Sequence, residues 1–182
     1  MRNLTIDEFL TRLASRAPAP GGGASAGLHA AQAAALLAMV ARYSDAPRLA
    51  ADADQLIAAA VRLAEDDIAA FGAVAEAYKL PKDQRSEPLA KALAGAMIPP
   101  LEVLALCRRL LTLADEVLPV VNKNVITDIA AAGEAVRAAA GTSRVNVEVN
   151  ARGELPPGVS DVDDLLAHVD RLTAAVRAAI SS

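Results

Sequence analysis

The stretch Pro18-Ala19-Pro20-Gly21-Gly22-Gly23-Ala24-Ser25-Ala26-Gly27 ends one helical pattern and opens another, and its reading decides the fold. Prolines fix the incoming backbone and withhold donors, while glycines permit positive φ and let a second backbone or a ligand come close. From Ala24 to Tyr43 the chain is then rich in alanine, so this helix must be met closely by its neighbours. The glycines have two readings. They form a tight turn into a close-packed helix, or a row of bare amides at a helix start, suited to an anion.

Working outward, prolines punctuate a series of helices. Thr5-Ile6-Asp7-Glu8 has capping-box spacing and opens a short amphipathic helix with Ile6, Phe9, Leu10 and Leu13. A third helix is predicted from Pro47 through Ala77, stopped by Leu80-Pro81, with a polar loop over 81–88. A fourth runs from Pro88 to a stop or kink at Pro99-Pro100, a fifth to Leu118-Pro119, and a sixth from Pro119 to Gly141. The segment Arg144 to Asn150 alternates with period two and by itself reads as a strand without a partner. After a loop from Gly153 to Gly158, Ser160-Asp161-Val162-Asp163 starts a last helix ending near Ile180. The expectation is an all-α single domain of seven or eight helices spanning residues 1–182.

Composition narrows the function. Of the 182 residues 54% are hydrophobic but only 2% aromatic, so the core is built from Ala, Leu, Val and Ile. The net charge of −4, without a long Lys/Arg run, argues against a nucleic-acid partner. Residues 24–41 reach the length at which a membrane span is considered, but Ser25, His29 and Gln32 interrupt them and a buried core helix is expected. The charged Asp7-Glu8 pair sits where a secretory signal is apolar, which points to a cytoplasmic location. A single cysteine, Cys107, excludes an internal disulfide and a structural zinc site, and its Leu104/Leu111 surroundings read as core.

Two carboxylates fall on apolar helical faces. Asp67 lies on the stripe of Leu49, Leu56, Ala60, Leu63, Phe71, Val74 and Tyr78, while Glu65 and Asp66 rotate away to solvent. Asp128 shares a face with Val121, Asn124, Val125, Ala132 and Ala135. Each has a structural reading, with Asp67 paired to a basic side chain and Asp128 capping or pairing locally with Lys123 or Asn124. Each also has a chemical one, in which two inward carboxylates divide an acid-base task. Ser25, His29 and Gln32 form an i, i+4, i+7 seam, and with only two histidines no His-rich metal site forms, so a structural role is expected for His29.

The order of these features resembles the cyclodeaminase/cyclohydrolase family, which includes the C-terminal domain of formiminotransferase-cyclodeaminase and stand-alone methenyltetrahydrofolate cyclohydrolases. The resemblance rests on Glu8-Phe9-Leu10 ahead of Pro20-Gly21-Gly22-Gly23, the helix ending Met39-Val40, Asp67 four residues before Phe71, and Leu80-Pro81-Lys82. It continues through Pro100-Leu101, Asn122, Asp128, Asn146-Val147 and Asn150. It implies an all-helical homodimer acting on the one-carbon bridge of tetrahydrofolate, by hydrolysis of the methenyl form or cyclodeamination of the formimino form. A folate is then the small-molecule partner and substrate, with no cofactor and no metal. Asp67 and Asp128 become the catalytic candidates, and Gly21, Gly22, Gly23, Ser25, Lys82, Asn122, Asn146 and Asn150 the substrate-binding ones. The same resemblance makes 144–150 helical.

The chain departs from the family pattern at Ala24, where a hydroxyl usually follows the glycines, and at Val74, Thr127 and Met97 or Ile98. His29 and Gln32 stand where the family has small or apolar residues. Two further functions are therefore open, a diverged enzyme for another small cyclic or amine-bearing metabolite and a non-catalytic helical scaffold.

Overall fold

The computed structural model describes residues 1–151, 153 and 155–181. Seven α-helices account for most of them, namely α1 (Ile6–Leu13), α2 (Gly22–Tyr43), α3 (Pro47–Lys79), α4 (Ser86–Ala96), α5 (Ile98–Val117), α6 (Ile126–Ala151) and α7 (Val162–Ser181). Among the described residues there is no strand. The loop expected from Gly153 to Gly158 includes Glu154, which lies outside the described residues.

α2 forms the centre of the bundle, packed on α3, α5 and α6, while α7 covers α5 and α6. Its length and composition would let it cross a membrane, and here it is instead wrapped by other helices. Alanine makes this possible, since it loses no rotamer freedom in a helix and keeps axes close. Ala26, Ala30, Ala33, Ala34, Ala38 and Ala41 are all buried along it. Gly27 marks the closest crossing, where a methyl group would stand 2.7 Å from the Ala64 Cβ and 2.8 Å from the Ala64 nitrogen. Leu104, Cys107, Leu110, Leu111, Ile129 and Val136 complete the core from α5 and α6. A smaller cluster of Val74, Ala77, Leu89, Leu93 and Ala96 joins α4 to the end of α3.

The helix ends follow the expected punctuation, with three differences. The Thr5 capping box forms as read, the Glu8 amide donating to Thr5 Oγ1 at 3.1 Å and the Thr5 amide to Glu8 Oε2 at 2.7 Å. Pro99 and Pro100 occupy the first turn of α5, where a missing N–H costs nothing. The first difference is at α2, which starts at Gly22, so two of the three glycines are helical. The second is at the sixth helix. Leu118–Val120 and Lys123–Val125 are separate 3₁₀ turns, and α6 begins only at Ile126.

The third difference is that Gly141 does not end α6, which continues to Ala151. The alternating segment is thus helical, as the family resemblance implies. Val147 is buried while Val145 and Val149, two residues either side, face outward.

Candidate active site

A carboxylate over a helix start is the centre of the site. Gly21 caps α2 with no side-chain hydrogen bond, leaving the first-turn amides of Gly22, Gly23 and Ala24 without intrahelical partners. Asp67, midway along α3, answers that vacancy. Its carboxylate lies directly over Gly23, so that a methyl group there would coincide with it, and it accepts a hydrogen bond from the Ala24 amide. Among the described residues no Lys or Arg pairs with Asp67. Burial pushes its pKa above the ordinary carboxylate value, and the Ala24 amide offsets only part of that rise. A carboxylate of this kind exchanges a proton more readily near neutrality than an exposed one does.

Backbone conformation does not demand glycine at any of the three positions, so what remains is space. Gly21 has an extended φ of −139°, and among the described glycines positive φ occurs only at Gly153 and Gly158. At Gly22 a methyl would make ordinary contact with Thr142 Cγ2 at 3.5 Å, and at Gly21 it would meet nothing. Only Gly23 is required to be bare.

Around Asp67 lies a cleft of about 220 Å³, walled by Pro18, Ala19 and the three glycines, Phe71 from α3, Ala96 at the end of α4, and Asn146, Val149 and Asn150 from α6. Because 144–150 is helical, Asn146 and Asn150 stand one turn apart on the same face, and Asn150 Nδ2 donates to the Ala96 carbonyl at 3.4 Å. Their amides offer both donors and acceptors to a ligand beside the carboxylate.

The fold thus brings together Asp67, Gly21, Gly22, Gly23, Asn146 and Asn150. It does not bring in the other four candidates. Asp128 sits in the first turn of α6, eighteen residues before Asn146 and so about 27 Å away along the helix axis. Asn122 is beside it at that far end. Its side chain donates to the Tyr43 carbonyl at 3.0 Å and accepts from the Asn124 amide at 3.0 Å, tying the end of α2 to the turn before α6. The expectation that Asp67 and Asp128 share one pocket is therefore corrected within this chain. A helical wheel fixes a residue's direction around an axis and says nothing about its height along it. Lys82 is exposed in the loop after α3, more than three turns beyond Asp67. Ser25 faces elsewhere, its hydroxyl donating to the Gly21 carbonyl at 3.1 Å.

Ser25, His29 and Gln32 do form a seam, and it lines a second, larger groove of about 630 Å³ between α1, α2 and α3, otherwise walled by Leu4, Ile6, Phe9, Leu10, Leu13, Leu28 and Val61. Size does not make it the reaction site. Its walls are chiefly apolar, and the carboxylate with a raised pKa lies in the smaller cleft. Cys107 is buried, with its thiol pushed up to about 12, and stands outside both.

Two aromatic residues of α3 depart from the sequence pattern. Phe71 shares the stripe of Asp67 but is 45% exposed, because that face of α3 opens onto the cleft, and Tyr78 near the end of α3 is likewise half exposed. Val149 carried no signal apart from its place one residue before Asn150. Glu65 is also not simply solvated, since it is half-buried and accepts from Arg2 Nε at 3.2 Å.

An all-helical bundle thus gathers a carboxylate of raised pKa, helix-start amides and a pair of amide side chains around one small cleft. The chain belongs to the formiminotransferase-cyclodeaminase family, whose model matches residues 5–154. It is 36% identical over 168 residues to a methenyltetrahydrofolate cyclohydrolase of Methylorubrum extorquens, covering 83% of this chain and 81% of that protein. Its fold matches the crystal structure of formiminotetrahydrofolate cyclodeaminase from Thermotoga maritima with a TM-score of 0.76 at 26% identity, covering 97% of this chain and 95% of the other.

Proposed function

We propose that this protein is a one-carbon folate enzyme that hydrolyses methenyltetrahydrofolate, with Asp67 as the group that takes and returns the proton. The observation that carries this reading is the partly buried carboxylate of Asp67, held over Gly23 by the Ala24 amide, with no basic side chain paired to it among the described residues. The 36% identity to a cyclohydrolase supports hydrolysis. The likeness to a formiminotetrahydrofolate cyclodeaminase carries cyclodeamination as a second reading of the same cleft.

In hydrolysis, water adds to the bridge carbon, which carries a positive charge shared with its two nitrogens. As the C–O bond forms, ionised Asp67 accepts a proton from that water, and the charge on the bridge is neutralised. The carbon is then tetrahedral. Protonated Asp67 next gives its proton to the departing nitrogen as that C–N bond breaks. The remaining hydroxyl loses its proton to solvent and becomes a formyl carbonyl. The net change is one water consumed and one proton released. The Asn146 and Asn150 amides orient the ring, and the Gly22 and Gly23 amides complement its polar edge.

The departures from the family pattern leave this cleft largely intact. Val74 packs in the α3–α4 cluster and Met97 caps α4, both away from the cleft walls. Ala24 contributes through its backbone, which any residue there would supply. The test is the decay of methenyltetrahydrofolate absorbance. The purified protein accelerates it well above the spontaneous rate and Asp67→Asn removes that acceleration, whereas a wild-type protein without effect refutes the reading.

A further inference from the structure

Phe71 is one of two phenylalanines in a chain without tryptophan, and at 45% exposure it lies open in the cleft one helical turn beyond Asp67. Val149, 71% exposed, lines the same cleft from α6 one residue before Asn150. An aromatic ring left half open beside a carboxylate, in a protein this poor in aromatics, contributes little to the core. The volume of the cleft adds to the argument. About 220 Å³ falls below the roughly 300–1,000 Å³ of sites that enclose a whole drug-sized ligand, so the cleft takes only the ring portion of a larger molecule.

We propose that Phe71 is the stacking platform of this site, presenting its face to the flat, cationic ring system of the substrate while Val149 limits that ring from α6. This deepens the folate reading and rests on it. An aromatic face attracts a cation and prefers offset stacking on a flat ring, so Phe71 and Asp67 both favour the positively charged bridge over the neutral product. Phe71 therefore governs substrate binding and selection, and Asp67 the proton.

The kinetic test compares Phe71→Ala, Phe71→Leu and Phe71→Tyr on methenyltetrahydrofolate. Both Ala and Leu raise KM about tenfold with kcat changed by less than about threefold, and Tyr restores wild-type KM. A leucine variant equal to wild type overturns the proposal, because apolar bulk alone would then suffice. Thermal denaturation of each variant separates this from misfolding, and a fall in kcat with KM unchanged also overturns it.

A second measurement does not depend on turnover. With ring-labelled phenylalanine, folic acid binding to the full chain shifts the Phe71 ring signals and leaves those of Phe9, which lines the α1 groove. Shifts at Phe9 alone, or none at either ring, reject Phe71 as the platform. Absence of turnover with Phe71 shifts intact refutes the folate chemistry and leaves the platform standing.

Discussion

Gly23 and Asp67 are in direct contact across the α2–α3 crossing, the carboxylate of one occupying the space where any side chain of the other would begin. That contact makes the glycine motif and the aspartate a single device. The bare Cα admits the carboxylate to the helix start, and the next amide holds it there.

The three glycines consequently separate on mutation. Gly23→Ala forces Asp67 off the Ala24 amide and loses at least about 100-fold in kcat/KM, as expected when a catalytic group is displaced by an ångström or so. Gly21→Ala and Gly22→Ala meet no clash; Gly22→Ala, by the higher helix propensity of alanine, leaves the melting temperature unchanged or slightly raised, and Gly21→Ala, which puts a poorer residue at the N-cap, lowers it slightly. Steady-state kinetics of Gly23→Ala and melting curves of all three check this.

Asp67 also sets a pH dependence whose sign follows from burial. Its folded pKa lies above the unfolded value, so its favourable contribution to stability is complete below the unfolded pKa and is lost as pH rises through the folded one. Asp67→Asn is neutral at every pH. The variant therefore melts at the same temperature as wild type in acid and up to about 3 °C higher at pH 7–8, while remaining inactive. Because the reaction uses the ionised form first, wild-type kcat/KM falls on the acid side with an apparent pKa above the ordinary carboxylate range of about 4. Paired melting and rate profiles over pH test both signs.

Much of this was legible in the sequence. Proline and capping punctuation located the helices, and the alanine run identified the central one, because those signals are local. The direction of Asp67 was also legible, since helical periodicity fixes it. What periodicity cannot fix is position along an axis, and that is why Asp128 and Asn122 were grouped with a cleft at the opposite end of α6. Gly141 misled as a stop signal because a mid-helix glycine facing open space ends nothing. Phe71 falls in the apolar stripe because the pattern contains no information about where a helix face opens onto a cleft.

The placement of Asp128 has its own test. If the reaction is carried by Asp67 alone, Asp128→Asn retains kcat within about threefold. Its effect is a small loss of stability, about 0.3–1 kcal/mol, from removing a negative charge at the start of α6. Denaturant midpoints together with kcat distinguish this from a shared acid-base role, in which kcat would fall by about 100-fold or more.

Gly27→Ala probes the crossing rather than the chemistry. Its methyl would meet the Ala64 backbone nitrogen at 2.8 Å, an atom that cannot rotate aside, so α2 and α3 must separate. Overpacking of that kind costs about 1–3 kcal/mol. The loss appears in the urea midpoint, and activity measured well below the melting range falls as well, because the same two helices position Gly23 and Asp67.

Asn150→Asp adds a negative charge to the cleft that holds Asp67, and its effect separates electrostatics from hydrogen bonding. A like charge disfavours ionisation, so the Asp67 pKa rises further and the acid limb of kcat/KM moves to higher pH. Asn150→Ala removes the amide without adding charge and leaves that limb in place while KM increases. The hydrogen bond lost to the Ala96 carbonyl is long, at 3.4 Å, so neither variant lowers the melting temperature by more than a few degrees. If both variants shift the acid limb equally, the Asp67 environment is governed by packing around Asn150 rather than by charge in the cleft.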